Sequence, residues 1–308
     1  MKTVKKTLNL FCKYLVYLFV RIIICFVQSL SLESCERGAA CLAGLFTDFI
    51  PLRRKILNKN LTNAFPHLTR RERKQLIRKM WKHLFLLACE VALAPRMINE
   101  HNWWRHFRLI NCSSILRMIH DNRPLIIITG HFGNFELGGY ILGLFGYPTF
   151  SVARTIDNPF LNQYIKEFRE STGQFLISKN GGYEDILEVL RNNGTMAFLA
   201  DQSAGPKGCW VKFFDQPASA YKAMALLSIE YDAPMVVCHA TRRDDRPMMF
   251  DMTVAATLDP RNRPEELTSI KQLTQWFTTS LENSIRQAPD QYWWLHNRWK
   301  NYGKKINI

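Results

Sequence analysis

Beyond Pro124 the chain alternates between short runs of β-forming residues and helical segments, and this alternation limits the folds open to it. The β-rich runs are PLIIIT, PTFSVA, QFLI, TMAFLA, VKFF, PMVVCHA and FDMTVAA. Between them lie the helical patterns FELGGYILGLFG, NPFLNQYIKEFREST, YEDILEVLRNN and SAYKAMALLSIEYD, and EELTSIKQLTQWFTTSLENSIRQ follows as a long closing helix. Strands that alternate with helices at this spacing predict an α/β domain with a central, mostly parallel sheet flanked by helices.

The amino-terminal segment is apolar over residues 8–32 and is interrupted only by Lys13 and Arg21. A transmembrane helix needs about 20 mostly apolar residues, so this stretch is long enough to cross a membrane once. A helix lying in the interface, with the two charges at the headgroups, fits the same pattern. The basic start MKTVKK predicts a cytoplasmic amino end. A cleaved signal peptide and a buried amphipathic helix are the alternatives, but no small-x-small cleavage site follows.

The net charge of +15 is the unusual feature of the composition, and much of it is concentrated in one stretch. From Arg53 to Lys82 there are eleven Lys or Arg residues against a single acid, Glu72. Such a surface suits nucleic acid, an anionic membrane or a phosphorylated substrate. No helix-turn-helix, RNP motif or zinc spacing is present, so we expect no nucleic-acid partner. Thr69 and Glu72 have the spacing of a capping box, which predicts that a basic helix begins there.

The eight cysteines include no CxxC pair, which is typical of reduced, structural cysteines and not of a zinc site or a disulfide framework.

The stretch ITGHFGNFELGGY places His131 and Glu136 five positions apart directly after a β-rich run. We predict that the strand ends at Gly130, that Asn134 is the N-cap of the next helix, and that His131 lies at the carboxyl end of a sheet strand, where such sheets bind ligands. A carboxylate folded back to the imidazole would fix its tautomer and let it act as a general base. The alternative is that both residues only cap the helix, and a metal site is weaker still.

Four blocks occur in a distinctive order: GHFGNFELGG, ARTIDNPFLNQYIKEFRESTG, LADQSAGPKGCWVKFFDQPASA and APDQYWWLHNRWK. Together they resemble the bacterial lipid A biosynthesis acyltransferases, the lauroyl and myristoyl transferases of the lysophospholipid-acyltransferase superfamily. The resemblance covers almost the whole chain. It implies a glycerolipid-acyltransferase-like α/β fold. It also implies a membrane-anchoring helix in residues 1–35 and an acyltransferase domain in residues 36–308, divided into a basic helical part (50–120) and an α/β core (121–308).

The resemblance further implies an inner-membrane enzyme whose catalytic domain faces the bacterial cytoplasm. It would transfer a fatty acyl chain from an acyl carrier protein thioester to a hydroxyl of a lipid A precursor, with no metal or other cofactor. The implied partners are the acyl carrier protein, the glycolipid acceptor and anionic inner-membrane lipids. Two alternatives for the acceptor remain: another glycolipid, such as a mannosylated inositol lipid, or a lysophospholipid. Acyl-CoA remains the alternative donor. A non-catalytic membrane scaffold would also explain the anchor and the charge.

Matched position by position, the family motif implies that His131 is the general base and Glu136 its partner. The implied substrate-binding residues are Arg154, Arg169, Asp201, Gln202 and Asn134. A glycerol-phosphate acyltransferase is the nearest rival among enzymes, but its motif has Asn and Asp where this chain has Gly130 and Glu136. The departures from the lipid A pattern leave the acceptor open and lie at Asp215, Trp293, Trp294 and Asn297. The candidate walls of an acyl slot are Phe132, Phe135, Leu137 and Tyr140, each of which is also a plausible core residue.

Overall fold

The computed structural model describes residues 2–302, with side chains from residue 7 onward. Its helices are α1 (Lys2–Ser29), α2 (Leu32–Asp48), α3 (Arg54–Ala64), α4 (Arg70–Met97), α5 (Ser113–His120), α6 (Phe135–Leu144), α7 (Pro159–Glu170), α8 (Tyr183–Arg191), α9 (Ala223–Glu230) and α10 (Ile270–Gln287). Its strands are β1 (Phe107–Ile110), β2 (Leu125–Thr129), β3 (Thr149–Ala153), β4 (Gln174–Ser178), β5 (Thr195–Leu199), β6 (Cys209–Phe213), β7 (Gln216–Ala220), β8 (Met235–Arg242) and β9 (Phe250–Leu258). Residues 303–308 of the predicted domain lie outside the described part.

The main sheet has seven strands in the order β1-β9-β8-β2-β5-β3-β4. The five strands from β8 to β4 are parallel, and β9 reverses direction beside β8. This confirms the predicted α/β fold with a mostly parallel central sheet flanked by helices. Helices α4, α5 and α6 contribute to the core on one face of the sheet, and α8, α9 and α10 to the core on the other.

Two sequence predictions are wrong around residues 209–222. The run VKFF does not join the main sheet but forms β6, which pairs with β7 in a separate antiparallel hairpin. Phe214 and Asp215 form its two-residue turn with φ of 51° and 57°. The helix predicted from Ser219 therefore begins only at Ala223, because residues 216–220 form the returning strand. Primed turns favour Asn-Gly or Asp-Gly, and Phe-Asp gives no such signal.

Helix α4 carries the basic stretch, and its predicted capping box is confirmed. The Thr69 hydroxyl accepts from the Glu72 amide while the Glu72 carboxylate accepts from the Thr69 amide. Farther along, α4 buries Glu90 completely, and this carboxylate receives two hydrogen bonds from the Arg242 guanidinium at the end of β8 (2.7 and 2.6 Å). A buried charge is tolerated when it is paired and hydrogen-bonded. Because the two partners lie on α4 and β8, this pair links the basic helix to the sheet.

Helix α1 presents most of its apolar side chains to the outside. Residues Thr7–Ser29 are long and apolar enough to cross a membrane, and Phe19, Ile22 and Phe26 are each more than 60% exposed. Its contacts with the rest of the chain include one to the start of α7, where Lys13 Nζ donates to the Asp157 carbonyl (2.7 Å). The basic stretch at residues 1–6, on which the predicted orientation rests, lies outside the described side chains.

The Glu90–Arg242 pair predicts a large loss of stability when one partner is removed. Arg242→Met keeps much of the apolar volume but leaves the Glu90 carboxylate buried without its counter-charge, so the free energy of unfolding should fall by about 3–5 kcal/mol. Denaturant titration in detergent would measure this. Arg37→Met, which breaks the exposed pair with Glu33, is the matched control and should leave stability almost unchanged. An Arg242→Met protein as stable as the control would contradict this account of the pair.

Candidate active site

The turn between β2 and α6 is held against β8 and the carboxyl-terminal segment by its own backbone. The amide of Gly133 donates to the Gln291 carbonyl (3.0 Å), and that of Asn134 donates to the Ala240 carbonyl (2.7 Å). Gly133 has φ of +59°, and a Cβ on it would lie 2.1 Å from the Ala240 carbonyl oxygen. Only glycine satisfies both the left-handed backbone and this close approach, so the turn fixes where His131 lies.

The His131 imidazole is hydrogen-bonded to Asp201, which follows β5 on the neighbouring strand. Nδ1 lies 2.9 Å from Asp201 Oδ1, and the Asp201 side chain is buried. An ionised carboxylate only accepts, so in the neutral ring Nδ1 carries the proton and Nε2 keeps its lone pair. Among the described residues no hydrogen bond to Nε2 is formed, and His131 lines the cavity described below. The ring therefore has the tautomer and the exposure that a general base needs.

The environment favours the charged forms of both members of this pair. Burial alone would lower the pKa of His131, but the charge of Asp201, the hydrogen bond and the charge of Glu136 outweigh it, so the pKa lies above its usual 6.5. Burial alone would raise the pKa of Asp201, yet the positive charge and hydrogen bonds of His131 lower it below its usual value. The carboxylate thus stabilises an imidazolium when one forms.

Glu136 does not bond to the His131 ring, which corrects the prediction made from their spacing. Its carboxylate instead accepts from Arg169 Nε (3.0 Å) and Nη2 (2.5 Å) in a bidentate pair between α6 and α7. Glu136 lies in the first turn of α6, which directs its side chain across to α7, whereas Asp201 enters at the end of the adjacent parallel strand. Glu136 remains near enough for its charge to raise the pKa of His131.

The carboxyl-terminal block surrounds Asp201 with three groups that the sequence did not single out. Burial, followed by the charge of Asp201, raises the pKa of the Tyr292 hydroxyl well above its usual value. His296 accepts from the Ser203 amide (3.2 Å), and burial lowers its pKa to about 4. Arg298 is also buried and donates to the Ser219 carbonyl (2.6 Å). The available signal was the position of all three in the fourth block of the family resemblance.

The other predicted site residues are spread over three environments. Asn134 is completely buried; it caps α6 as predicted and donates to Glu90 (3.0 Å), so its side chain supports the turn and is not on the cavity wall. Arg154 lines the cavity mouth but its side chain is 79% exposed, with Asp157 at 3.6 Å. Gln202 lines the same cavity next to Asp201. The structure therefore gathers five of the predicted residues around one space, namely His131, Glu136, Arg154, Arg169 and Gln202.

That space is a cavity of about 550 Å³, within the size range of small-molecule pockets. His131 and Glu136 line it, and most of the remaining wall is apolar. Gly138 and Gly139 of α6 lack side chains where the helix faces the sheet, which helps to leave this space open. Of the predicted acyl-slot walls Phe135 lines the cavity, whereas Phe132, Leu137 and Tyr140 are buried in the core. A cavity of this kind suits an alkyl chain.

The hydrogen-bond donors around His131 are side chains. The turn amides of Phe132, Gly133 and Asn134 all donate to protein carbonyls and are not free for a ligand. Arg169 and Gln202 line the cavity and supply the guanidinium and amide donors there.

Among the described residues no cluster of three or more His, Cys, Asp or Glu side chains could hold a metal ion.

Comparison with known proteins finds a family match over nearly the whole chain. The model of the family described as "Bacterial lipid A biosynthesis acyltransferase" matches residues 1–301. The lipid A biosynthesis palmitoleoyltransferase of Escherichia coli K12 is 25% identical over 82% of this chain and 80% of its own length. The lauroyltransferase of the same organism is 22% identical over the same shares.

Two further similarities are more distant. A phosphatidylinositol mannoside acyltransferase of Mycobacterium tuberculosis is 29% identical, but over only 37% of each chain. The solved structure of the 1-acyl-sn-glycerophosphate acyltransferase PlsC from Thermotoga maritima is 11% identical, covers 87% of this chain and 98% of its own, and has a TM-score of 0.40. Because the family model matches nearly the entire length, the chain belongs to the bacterial lipid A biosynthesis acyltransferases.

Proposed function

We propose that this protein transfers a fatty acyl chain from an acyl carrier protein thioester to a hydroxyl of a lipid A precursor at the cytoplasmic face of the inner membrane. The observation that carries the proposal is the His131–Asp201 pair at the edge of an apolar cavity. A base next to an alkyl-sized slot is what direct attack of a lipid hydroxyl on a bound thioester requires.

In this mechanism Nε2 of His131 takes the proton of the acceptor hydroxyl as its oxygen attacks the thioester carbonyl carbon. The charge of Asp201 stabilises the imidazolium that results. Arg169, held by Glu136, and Gln202 are the donors placed to stabilise the negative carbonyl oxygen of the tetrahedral intermediate. When the intermediate collapses, the carbon–sulfur bond breaks and His131 returns the proton to the leaving thiolate. The products are the acylated lipid and the free thiol.

The basic stretch on α3 and α4 supports an anionic partner. Eleven Lys or Arg residues between Arg53 and Lys82 face a single acid, and such a surface attracts an acidic carrier protein or anionic headgroups. Acyl-CoA as donor would use the same chemistry. The partial similarity to a phosphatidylinositol mannoside acyltransferase keeps a second glycolipid class as the alternative acceptor.

Helix α1 supports attachment to the membrane beside the cavity mouth. Its exposed apolar side chains need an apolar surrounding, and Lys13 contacts the Asp157 carbonyl close to Arg154. Arg154 is a long, exposed cationic side chain at the mouth of the cavity, and this position suits binding of an anionic group of the acceptor. An acceptor lipid would then reach His131 without leaving the membrane surface.

Removing the base or its buried partner should stop acyl transfer. We expect His131→Ala and Asp201→Asn to lower kcat by about 10²–10⁴-fold, because one loses the proton acceptor and the other the charge that orients and stabilises it. Transfer from a panel of acyl carrier protein thioesters to a lipid A precursor, followed by mass spectrometry of the lipids, measures this and reports the preferred chain. Asp215→Asn is the matched control, since that side chain is 91% exposed. Unchanged transfer by both variants at equal protein levels would overturn the assigned base.

The raised pKa of His131 predicts an acid limb in the pH profile. His131 acts as a base only when neutral, so kcat/KM should fall as the pH drops through a pKa above 6.5. In Asp201→Asn the carboxylate no longer raises that pKa while burial still lowers it, so the midpoint should move to lower pH even though the maximum rate is smaller. A midpoint that stays in place, or moves to higher pH, would contradict the role given to Asp201.

Charging the exposed face of α1 should weaken membrane attachment. Phe19→Asp and Ile22→Asp place a carboxylate among apolar side chains, where insertion is strongly disfavoured, so binding to phosphatidylglycerol-containing vesicles should fall at least about tenfold. Vesicle flotation would measure it. Ile229→Asp, at an exposed apolar position on α9, is the matched control and should bind as the unmodified chain does. Equal loss in the control would indicate a general effect of charge and not an α1 attachment.

A further inference from the structure

A cluster of three polar side chains interrupts the apolar wall of the cavity. Thr149 and Ser151 lie two residues apart on β3, and Gln174 is the direct partner of Thr149 on β4. Side chains two apart on a strand, or opposite each other on paired strands, share one face of the sheet. All three line the cavity that His131 borders.

These side chains make no hydrogen bonds that would explain their presence in a mostly apolar cavity. Gln174 is 8% exposed and its Nε2 atom has no partner. Among the described residues, the Thr149 and Ser151 hydroxyls are likewise without a hydrogen bond from another side chain or the backbone. A buried amide without a partner is costly, and native structures rarely retain one without a ligand, a water or a function.

The opposite wall is shaped to accommodate the cluster. A Cβ on Gly139 of α6 would lie 2.2 Å from Gln174 Oε1, so any larger residue there would displace the glutamine amide. Gly138 has no such conflict, with its nearest neighbour, the Ala240 Cβ, at 3.5 Å. The glycine at position 139 thus keeps Gln174 in the cavity beneath the helix.

The strand register places the cluster far from the reacting atoms. Ser151 is level with Ile127 of β2, four residues before His131, and Gln174 is level with Leu125, six residues before it. Measured back from the end of β2 at Thr129, these levels lie about 7 and 13 Å along the strand, and the turn from Thr129 to His131 adds to both separations. An acyl chain whose thioester lies at His131 would bring its distal half to the cluster.

We infer that the cluster recognises a hydroxyl on the distal half of the acyl chain, an assignment that rests on the proposed acyl transfer. The Gln174 amide donates to the hydroxyl oxygen, and Thr149 or Ser151 accepts its proton. A plain alkyl chain of the same length excludes water from these groups and leaves them unpaired. Sites built to bond a substrate hydroxyl discriminate strongly against the analogue that lacks it.

The test compares three thioesters of one acyl carrier protein: hexadecanoyl, hexadecanoyl with a hydroxyl on the penultimate carbon, and hexadecanoyl with a hydroxyl beside the thioester. We expect the unmodified enzyme to favour the distal hydroxyl at least about tenfold in kcat/KM over both others. Gln174→Leu combined with Ser151→Ala should reverse this in favour of the plain chain. Gln163→Leu, on the exposed side of α7, is the matched control and should keep the preference.

Direct binding of the corresponding free fatty acids to the purified protein separates this inference from the proposed function. If no acyl chain is transferred from any thioester, the proposed function fails. Tighter binding of the distally hydroxylated acid, lost in the double variant, would still support recognition of the hydroxyl by the cluster. Equal binding of plain and hydroxylated acids, as a cluster filled by water would give, overturns the inference. So does a transfer preference that the double variant leaves unchanged.

Discussion

The candidate site depends on a buried ion pair that lies behind it. Glu90 of α4 and Arg242 of β8 bond to each other, and each also bonds to the support of the His131 turn. Glu90 accepts from the Asn134 side chain, and Arg242 donates to His83 Nδ1 (2.9 Å), whose Nε2 then donates to the Gly133 carbonyl (3.3 Å). Burial and the Arg242 charge keep the pKa of His83 well below its usual value, so the ring stays neutral and can accept from the guanidinium. A change in this pair would therefore displace the His131 turn before it altered any group in the cavity.

The local parts of the site were predictable from the sequence, and the long-range pairing was not. A β-rich run, a glycine turn and an N-cap asparagine located His131 correctly, because each of these signals acts over a few residues. The partner of the ring lies 70 positions away, and its identity depends on β5 being the parallel neighbour of β2. Asp201 follows its strand as His131 follows its own, so the two strand ends meet at one edge of the sheet. The close spacing of Glu136 and His131 in the sequence predicted the partner of the ring less well than the position of Asp201 at the end of the neighbouring strand.

Two strands and the carboxyl-terminal segment were also not predicted, because they lack local sequence signals. Strand β1 is four residues long with two exposed positions, and β7 begins with Gln216 and Pro217, so neither has the apolar run that marks an internal strand. The segment containing Tyr292, His296 and Arg298 is irregular. Its side chains reach Asp201 through tertiary packing, which no helical or strand periodicity encodes. Similarity to the family identified the segment but did not assign its contacts.

The two carboxylates near His131 have different surroundings, and the difference explains why both can be present. Asp201 is buried beside the ring, where its charge acts strongly on the imidazolium because little water screens it. Glu136 lines the cavity, where an unpaired negative charge would oppose the negative oxygen of the proposed tetrahedral intermediate. Its bidentate bond to Arg169 offsets much of that charge and directs a guanidinium to the same region. In the proposed mechanism Glu136 therefore acts through Arg169 at the acyl carbonyl, whereas Asp201 acts at the base.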